Sequence, residues 1–489
     1  MASDRAADNP TTPTSPATDD APPAGVAAKN SQPATRPTPN RATNNSTTPT
    51  SAETTNTAQA NPNNTTRKST PEETSHRAAN NPTTPTSPET SHRAANNPTT
   101  PTSRETSHRA ASSYDAVVIG AGVIGAATAF ELGRRGRAAL CVDKLPAAGF
   151  GSTVNSCAIV RFTYSTFTGV AMAYEGLHYW LEWPGYLEAA DELSLVEYRQ
   201  CGMAALKDPG GHYLKVLPHF DAIGVAYEDW STAELLRRMP ILDPGIYGPP
   251  KRPDDPDFWA DATEDLPGAI FTPEAGYVSD PQLTAHNLQR AAEAAGAEFR
   301  FATSVAAVGR TDGRVTGVAL DDGTTVTAPV VVNVAGPHSY LINQMAGVYD
   351  SMNIKTKALR HEVHHAPGPQ SFDYERDGFN IADDDNGIYF RPETGNHILV
   401  GSTDPRCDPQ DWVDPDDYDQ RLSAEQWEAQ VLRLNRRLPS VGLPHERKGV
   451  VDLYDVSDDW IPIYDRTDLD GFYVAIGTSG NQFKNAGVA

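Results

Sequence analysis

The chain has 489 residues, with 63 Asp+Glu against 40 Lys+Arg and a formal net charge of −23. So acidic a surface repels polyanions, which excludes nucleic acid and anionic membranes as partners. No apolar run reaches the length of a transmembrane helix, and the N-terminus lacks the apolar core of a secretory signal, so a cytoplasmic protein is expected.

Residues 1–112 are dominated by Thr, Pro, Asn, Ala and Ser. Such a segment buries too little apolar surface to offset its chain entropy, which predicts a disordered tail. It is repetitive: the 16 residues Thr74–Glu89 recur almost unchanged at Thr90–Glu105, and a third copy begins at Thr106. The copies have no apolar face to stack, so they are not a solenoid. The tail holds 10 Lys+Arg and 9 Asp+Glu, which leaves 30 and 54 in the remaining 377 residues, a net of −24. The runs Asp254–Asp257, Asp383–Asp385 and Asp414–Asp417 read as solvated surface. That surface is like those of proteins from salt-rich cytoplasm, where self-repulsion is screened. The cysteines Cys141, Cys157, Cys201 and Cys407 are widely spaced without C-x-x-C, so neither a disulfide framework nor a metal site is expected.

The folded part opens with its most informative element. The run YDAVVIGAGVIG, Tyr114 to Gly125, predicts a strand, a glycine turn and the start of a helix. Ala138–Asp143 predicts a second strand ending in an acid. Together they form a dinucleotide-binding βαβ unit. Gly120 permits the tight turn, Gly122 lets the backbone approach a pyrophosphate, and Gly125 lets the helix sit close to the strand. The helix N-terminus faces the phosphates. Asp143, 18 residues beyond Gly125, is placed to accept hydrogen bonds from a ribose diol.

A loop of small residues follows from Ala147 to Ser156. Helices are expected over Tyr174–Trp183 and Thr232–Met239, and strands at Met203–Leu206 and Ala269–Phe271. Asp280–Ala295 predicts a helix capped by Asp280 and opened by Pro281. Strands at Ala297–Phe301 and Val305–Val308 lead to hairpins turning at Asp312-Gly313 and Asp322-Gly323. The run from Val330 to Ala335 is a buried strand ending at Gly336. A mostly antiparallel section includes Ile388–Phe390 and His397–Gly401, and the last buried strand ends at Gly477. In Arg360–His365, alternation puts His361 and His365 on one face and His364 on the other, and these histidines read as packed or solvated. Three strand-then-glycine elements, at Gly120, Gly336 and Gly477, predict one discontinuous nucleotide domain. The fold class is α/β: a Rossmann-like domain from 113–165, 276–345 and 446–489, and an α+β substrate domain from 166–275 and 346–445 with a mostly antiparallel sheet.

Six elements in this order carry a resemblance: the glycine motif, GSTVNSCAIVR (Gly151–Arg161), Ala275–Tyr277 ahead of a helix, Val331–Pro337, GIYFRP (Gly387–Pro392) and GTSGNQFK (Gly477–Lys484). From Tyr114 onward the chain resembles the FAD-dependent amine oxidoreductases of the D-amino-acid-oxidase and sarcosine-oxidase type. The resemblance implies that Gly120, Gly122, Gly125 and Asp143 contact FAD. It further implies that Ser152, Thr153 and Ser156 run along the flavin and that Val305 touches the adenine. Gly336, Gly477 and Gly480 supply further contacts. It implies an Arg161–Lys484 clamp on a substrate carboxylate and Tyr389 as a wall of the substrate pocket. Covalent anchors of relatives are replaced, a Cys by Asp452 and a His by Asn155, so non-covalent FAD is expected. Leu399 stands where the oxidase branch has a Lys, which favours a dehydrogenase serving an electron-acceptor protein or a quinone. Relatives continue past the position of Ala489 into a further helix, which implies a partial sequence or a shorter version. The implied reaction is oxidation of an amine, an N-methylated or D-amino acid, by hydride transfer to flavin. Two alternatives are a non-catalytic FAD-binding assembly protein and a hydroxy-acid or glycerol-phosphate dehydrogenase of the same fold.

Overall fold

The run AVVI at Ala116–Ile119 is buried at all four positions, as is ALCV at Ala139–Val142. Continuous apolar runs of this kind suit central parallel strands covered on both faces. A computed structural model, which describes residues 112–489, places both in a six-stranded sheet. The order is Glu298–Arg300, Ala139–Val142, Ala116–Ile119, Val330–Asn333, Phe472–Ile476, Ile463–Arg466, parallel except for the last pair. The three strand-then-glycine elements are therefore neighbours, although they lie far apart in sequence. Helices Val123–Arg134 and Pro281–Ala294 cover one face. Asp280 caps the second of these, accepting from the Leu283 N–H at 2.9 Å. The disorder expected for the tail falls outside the described residues, apart from Ser112, which opens a short strand parallel to Thr325–Thr327.

The second sheet has nine strands. Its order is Asp411–Trp412, Thr356–Pro367, His397–Ser402, Ile388–Glu393, Asn380–Asp383, Met203–Leu206, Ala269–Thr272, Glu228–Trp230, with Gly449–Ser457 also pairing along Thr356–Pro367. All pairs are antiparallel except Asn380–Asp383 with Met203–Leu206. The segment expected from residue 446 in the nucleotide domain thus gives its first strand to this sheet. Alternation sorts the faces. Ile388, Phe390, Ile398 and Val400 pack with Leu434 and Leu438, from the end of helix Ala424–Arg437, while Tyr389 and Leu399 project from the other face. His361 and His364 separate as alternation requires. His364 is fully enclosed, and burial pushes its imidazole down to about 3.

One surface expectation is corrected. Asp254, Asp255 and Asp257, and Asp414, Asp416 and Asp417, are exposed, but Asp383 and Asp385 are buried. Both pair with the enclosed Arg437, whose Nε lies 2.7 Å from Asp383 and whose Nη2 lies 3.0 Å from Asp385. Arg437 also donates to the carbonyls of Asp243 and Gly245. Removing one partner of a buried pair strands the other charge. Arg437→Ala is therefore expected to cost about 3–5 kcal/mol, read as a lower denaturant midpoint; an unchanged midpoint would mean the acids find other partners.

Candidate cofactor and substrate site

The glycine turn is built as its residues require. Gly120 has φ +109°, and a Cβ there would sit 2.5 Å from the Val334 carbonyl oxygen. A Cβ on Gly125 would lie 1.9 Å from the Gly120 carbonyl oxygen, so only glycine lets the helix start this close to the strand. Gly122 differs: its Cβ position meets only Thr153 Oγ1, at 3.2 Å, and Gly336 (φ +55°) meets nothing within 4 Å. The two glycines that pack the turn are thus filled by protein, while Gly122 and Gly336 leave room. That is the cradle a pyrophosphate at a helix N-terminus needs, so the residues fit FAD.

Asp143 holds the cradle from the second strand. Its Oδ2 accepts the Ala121 N–H at 2.6 Å and its Oδ1 accepts the Leu145 N–H at 2.8 Å. Burial pushes its carboxyl up, and the two amide bonds pull it back. Thr303 N–H bonds the Asp143 carbonyl at 3.0 Å, which lays the strand opened by Val305 beside the acid. Lys144 reaches His338 at 2.7 Å and also pairs with Asp416, tying this loop to the Gly336 turn.

The loop after Gly151 is anchored at both ends. Thr153 Oγ1 accepts the Val123 N–H at 3.1 Å, a free amide of the first helical turn. Ser152 donates to the Leu453 carbonyl at 2.7 Å and to Asp452 at 3.1 Å. Asn155 Nδ2 donates to Asp452 at 2.7 Å. Asn155 and Asp452 therefore bond to each other. Ser156 Oγ accepts the Ala158 N–H at 3.0 Å, where the chain turns with φ +48°. Gly477 and Gly480 have φ of +65° and +68°, and a Cβ on Gly480 would strike the Tyr454 ring at 2.3 Å.

Arg161 and Lys484, far apart in sequence, meet at Tyr164. The Arg161 guanidinium lies 4.6 Å from the Tyr164 ring centroid and the Lys484 ammonium 5.0 Å from it. Lys484 donates to the Tyr164 hydroxyl and the Asn481 carbonyl, and Arg161 to Thr163 Oγ1 at 3.1 Å. Among the described residues no carboxylate lies within 4.0 Å of either cation. Lys484 is 2% exposed, and burial, with Arg161 adding repulsion, pushes its ammonium well below the usual lysine range. Helix Phe167–Leu181 positions it: Trp180 Nε1 donates to the Lys484 carbonyl at 2.8 Å and stacks on Phe483. No described contact joins Tyr389 to the Arg161–Lys484 pair; its hydroxyl lies 3.5 Å from that of Tyr454 and 3.6 Å from Cys157 Sγ.

Tyr164 and Tyr454 escaped the sequence reading, and His361 entered it only as a packed or solvated histidine. His361 stacks on Tyr454 at 4.2 Å and bonds Asp404 at 2.8 Å. Strand and loop tyrosines carry no local signature, so only their neighbours in space reveal them. All four cysteines are free. One trio, Asp191, Glu192 and His286, has ligand atoms within 4.8 Å of one another. The two carboxylates are already engaged by Asn287, the Leu193 N–H and Arg290.

Residues 115–489 match the family model of the FAD dependent oxidoreductases, DAO. The chain belongs to this family, and it is an FAD-dependent oxidoreductase. A glycine oxidase from Geobacillus kaustophilus is 26% identical over 319 residues, covering 64% of this chain and 73% of that one. The fold is similar to that of L-proline dehydrogenase from P. horikoshii, with a TM-score of 0.63 at 19% identity over 77% of this chain and 91% of that one. The solved Geobacillus kaustophilus glycine oxidase gives 0.61 at 20% identity, over 77% and 92%. Among the described residues no helix is long and apolar enough to cross a membrane.

Proposed function

We propose that the protein oxidises an amino acid, N-methylated or of D configuration, with a carboxylate held by Arg161 and Lys484. The observation that carries this reading is the pair of cations on the Tyr164 ring, neither in an ion pair with a described carboxylate, although Asp384 lies close enough to feel the charge of Arg161. An incoming carboxylate would pair with both cations and favour the charged form of Lys484. Bound FAD supplies the hydride acceptor. The chain would supply orientation: the cations fix one end of the substrate, and the family resemblance makes Tyr389 a wall of its pocket. No dedicated base is needed if the amine arrives deprotonated, and water then hydrolyses the imine. Names of relatives, glycine oxidase and L-proline dehydrogenase, support an amino-acid substrate in general.

Leu399 shares the sheet face of Tyr389, so the position where oxidases carry a lysine is apolar here. This supports a dehydrogenase that delivers electrons to an acceptor protein or a quinone. With an N-methylated amino acid and a dye acceptor, the protein should release formaldehyde or an oxo acid. Turnover that runs equally well on oxygen alone would overturn the dehydrogenase part of the reading. Asn155 and Asp452 bond each other and leave no thiol or imidazole at those positions, which supports non-covalent FAD. Acid precipitation should leave the yellow colour in the supernatant; colour in the pellet would mean a covalent link. The acidic body supports a cytoplasmic protein suited to high salt.

A further inference from the structure

Asp455 is a buried acid with no part in the substrate reading. It is 1% exposed, on the strand Gly449–Ser457. Its Oδ2 accepts the Gly477 N–H at 2.7 Å, and its backbone carbonyl accepts the Ser479 N–H at 2.7 Å. Gly477, Ser479 and Gly480 all have positive φ, at +65°, +47° and +68°. The two bonds therefore hold a backbone shape that an unanchored turn would relax, above all at Ser479, where a side chain is present. The other oxygen, Oδ1, is enclosed without a partner at hydrogen-bonding geometry, and so are the hydroxyls of Ser339 and Thr356. Both hydroxyls are nonetheless close enough to act on the carboxyl. Ser339 opens the helix that follows the Gly336–His338 turn, and Thr356 opens the long strand opposite Ser457.

We infer that Asp455 is a positioning residue for the cofactor, its single carboxyl clasping the Gly336 and Gly477 turns together. The inference rests on the reading of both turns as flavin contacts. In the acid form, an O–H on Oδ1 donates to one of the two orphaned hydroxyls while Oδ2 still accepts from Gly477. In the carboxylate form, a charge sits where no cation answers it. The groups that act on Asp455 are the Gly477 N–H from the C-terminal turn, Thr356 from the long strand and Ser339 from the helix, with no charged side chain among them. Burial pushes the carboxyl from 3.8 up to about 7 against the pull of these three groups. The folded chain thus holds this proton more tightly than the unfolded chain. The stabilisation is full below the unfolded value and is lost as pH rises through about 7.

The test compares the full chain as wild type, Asp455→Asn and Asp455→Ala, as apoprotein and with added FAD, from pH 5 to pH 9. Asparagine keeps an acceptor for Gly477 and a donor for the hydroxyls but cannot ionise. The wild-type apoprotein should melt progressively earlier than Asp455→Asn as pH rises from 5 to about 7, and the gap should then level off. Asp455→Asn should keep the FAD affinity of the wild type at low pH and rescue it at high pH. Asp455→Ala should bind FAD about tenfold or more weaker at every pH, as expected for loss of one well-placed hydrogen-bonding group. Parallel melting profiles for wild type and Asp455→Asn would overturn the clasp, whatever the flavin does. An Asp455→Ala apoprotein that melts early yet binds FAD normally would overturn the link to the cofactor alone. Failure of the wild type to bind FAD would count against the flavin reading of the turns and leave the apoprotein comparison intact.

Discussion

Gly122→Val should give a folded protein that does not turn yellow. Gly122 has φ −66°, a conformation open to any residue, and a Cβ there meets only Thr153 Oγ1 at 3.2 Å. A Cβ there needs only a small shift of Thr153, so the fold should survive the substitution. The same side chain fills the space through which the backbone approaches a pyrophosphate. Forcing two groups into that space costs about 1–3 kcal/mol or more, which weakens FAD binding by about tenfold to a hundredfold. Gly125→Ala is the control. Its Cβ would lie 1.9 Å from the Gly120 carbonyl oxygen, so the strand–helix contact itself must open and the melting temperature should fall. The ratio of flavin to protein absorbance, read beside a melting curve, separates the two. Full flavin occupancy in Gly122→Val would place the cofactor elsewhere.

The second large effect lies on the substrate side. Arg161→Ala and Lys484→Met should each lower flavin reduction by an amino acid about tenfold to a hundredfold. A charge-assisted hydrogen bond contributes about 1.5–3 kcal/mol, and about 1.4 kcal/mol is a factor of ten in rate. A matching amine without a carboxylate never uses the clamp and should lose less. Lys484→Met should do this without destabilising the fold, because it removes a buried ammonium that has no described anionic partner. Carboxylate binding should also weaken as pH rises, since burial already lowers the proton affinity of Lys484 and an anion needs the charged form. Equal losses on the amino acid and the amine would assign both residues to the fold or the flavin.

These effects differ in how far the sequence reveals them, and the reason is the range of the interaction. Gly120, Gly122 and Gly125 act within one turn, so their spacing reports their geometry directly. The Asp280 cap and the hairpins at Asp312-Gly313 and Asp322-Gly323 are local in the same way, and the chain forms them where expected. The helix expected from Tyr174 instead begins at Phe167, because Thr166 caps it by accepting the Gly169 N–H, a signal masked by the mixed residues around it. Asp383 and Asp385 read as solvated because their partner Arg437 lies 54 and 52 residues away. Tyr164 is harder still: its hydroxyl donates to the Asn481 carbonyl across 317 residues. Arg161 and Lys484 became candidates only through resemblance to a family, since nothing in their own surroundings brings them together. Asp455 shows the limit most plainly. Its neighbours Ser339 and Thr356 come from two other elements, and one acid in a strand is silent until the groups around it are known.

Anaerobic mixing of the FAD-loaded protein with a panel of N-methylated amino acids, D-amino acids, simple secondary amines and hydroxy acids decides whether the site oxidises amino acids. Bleaching of the flavin band is the readout, because it reports electron transfer without any need to know the natural acceptor. Amino acids of the first two classes should bleach the flavin, amines that lack a carboxylate should bleach it more slowly, and hydroxy acids should not bleach it. Bleaching by hydroxy acids alone, or a flavin that stays oxidised across the whole panel, would contradict amino-acid oxidation at this site.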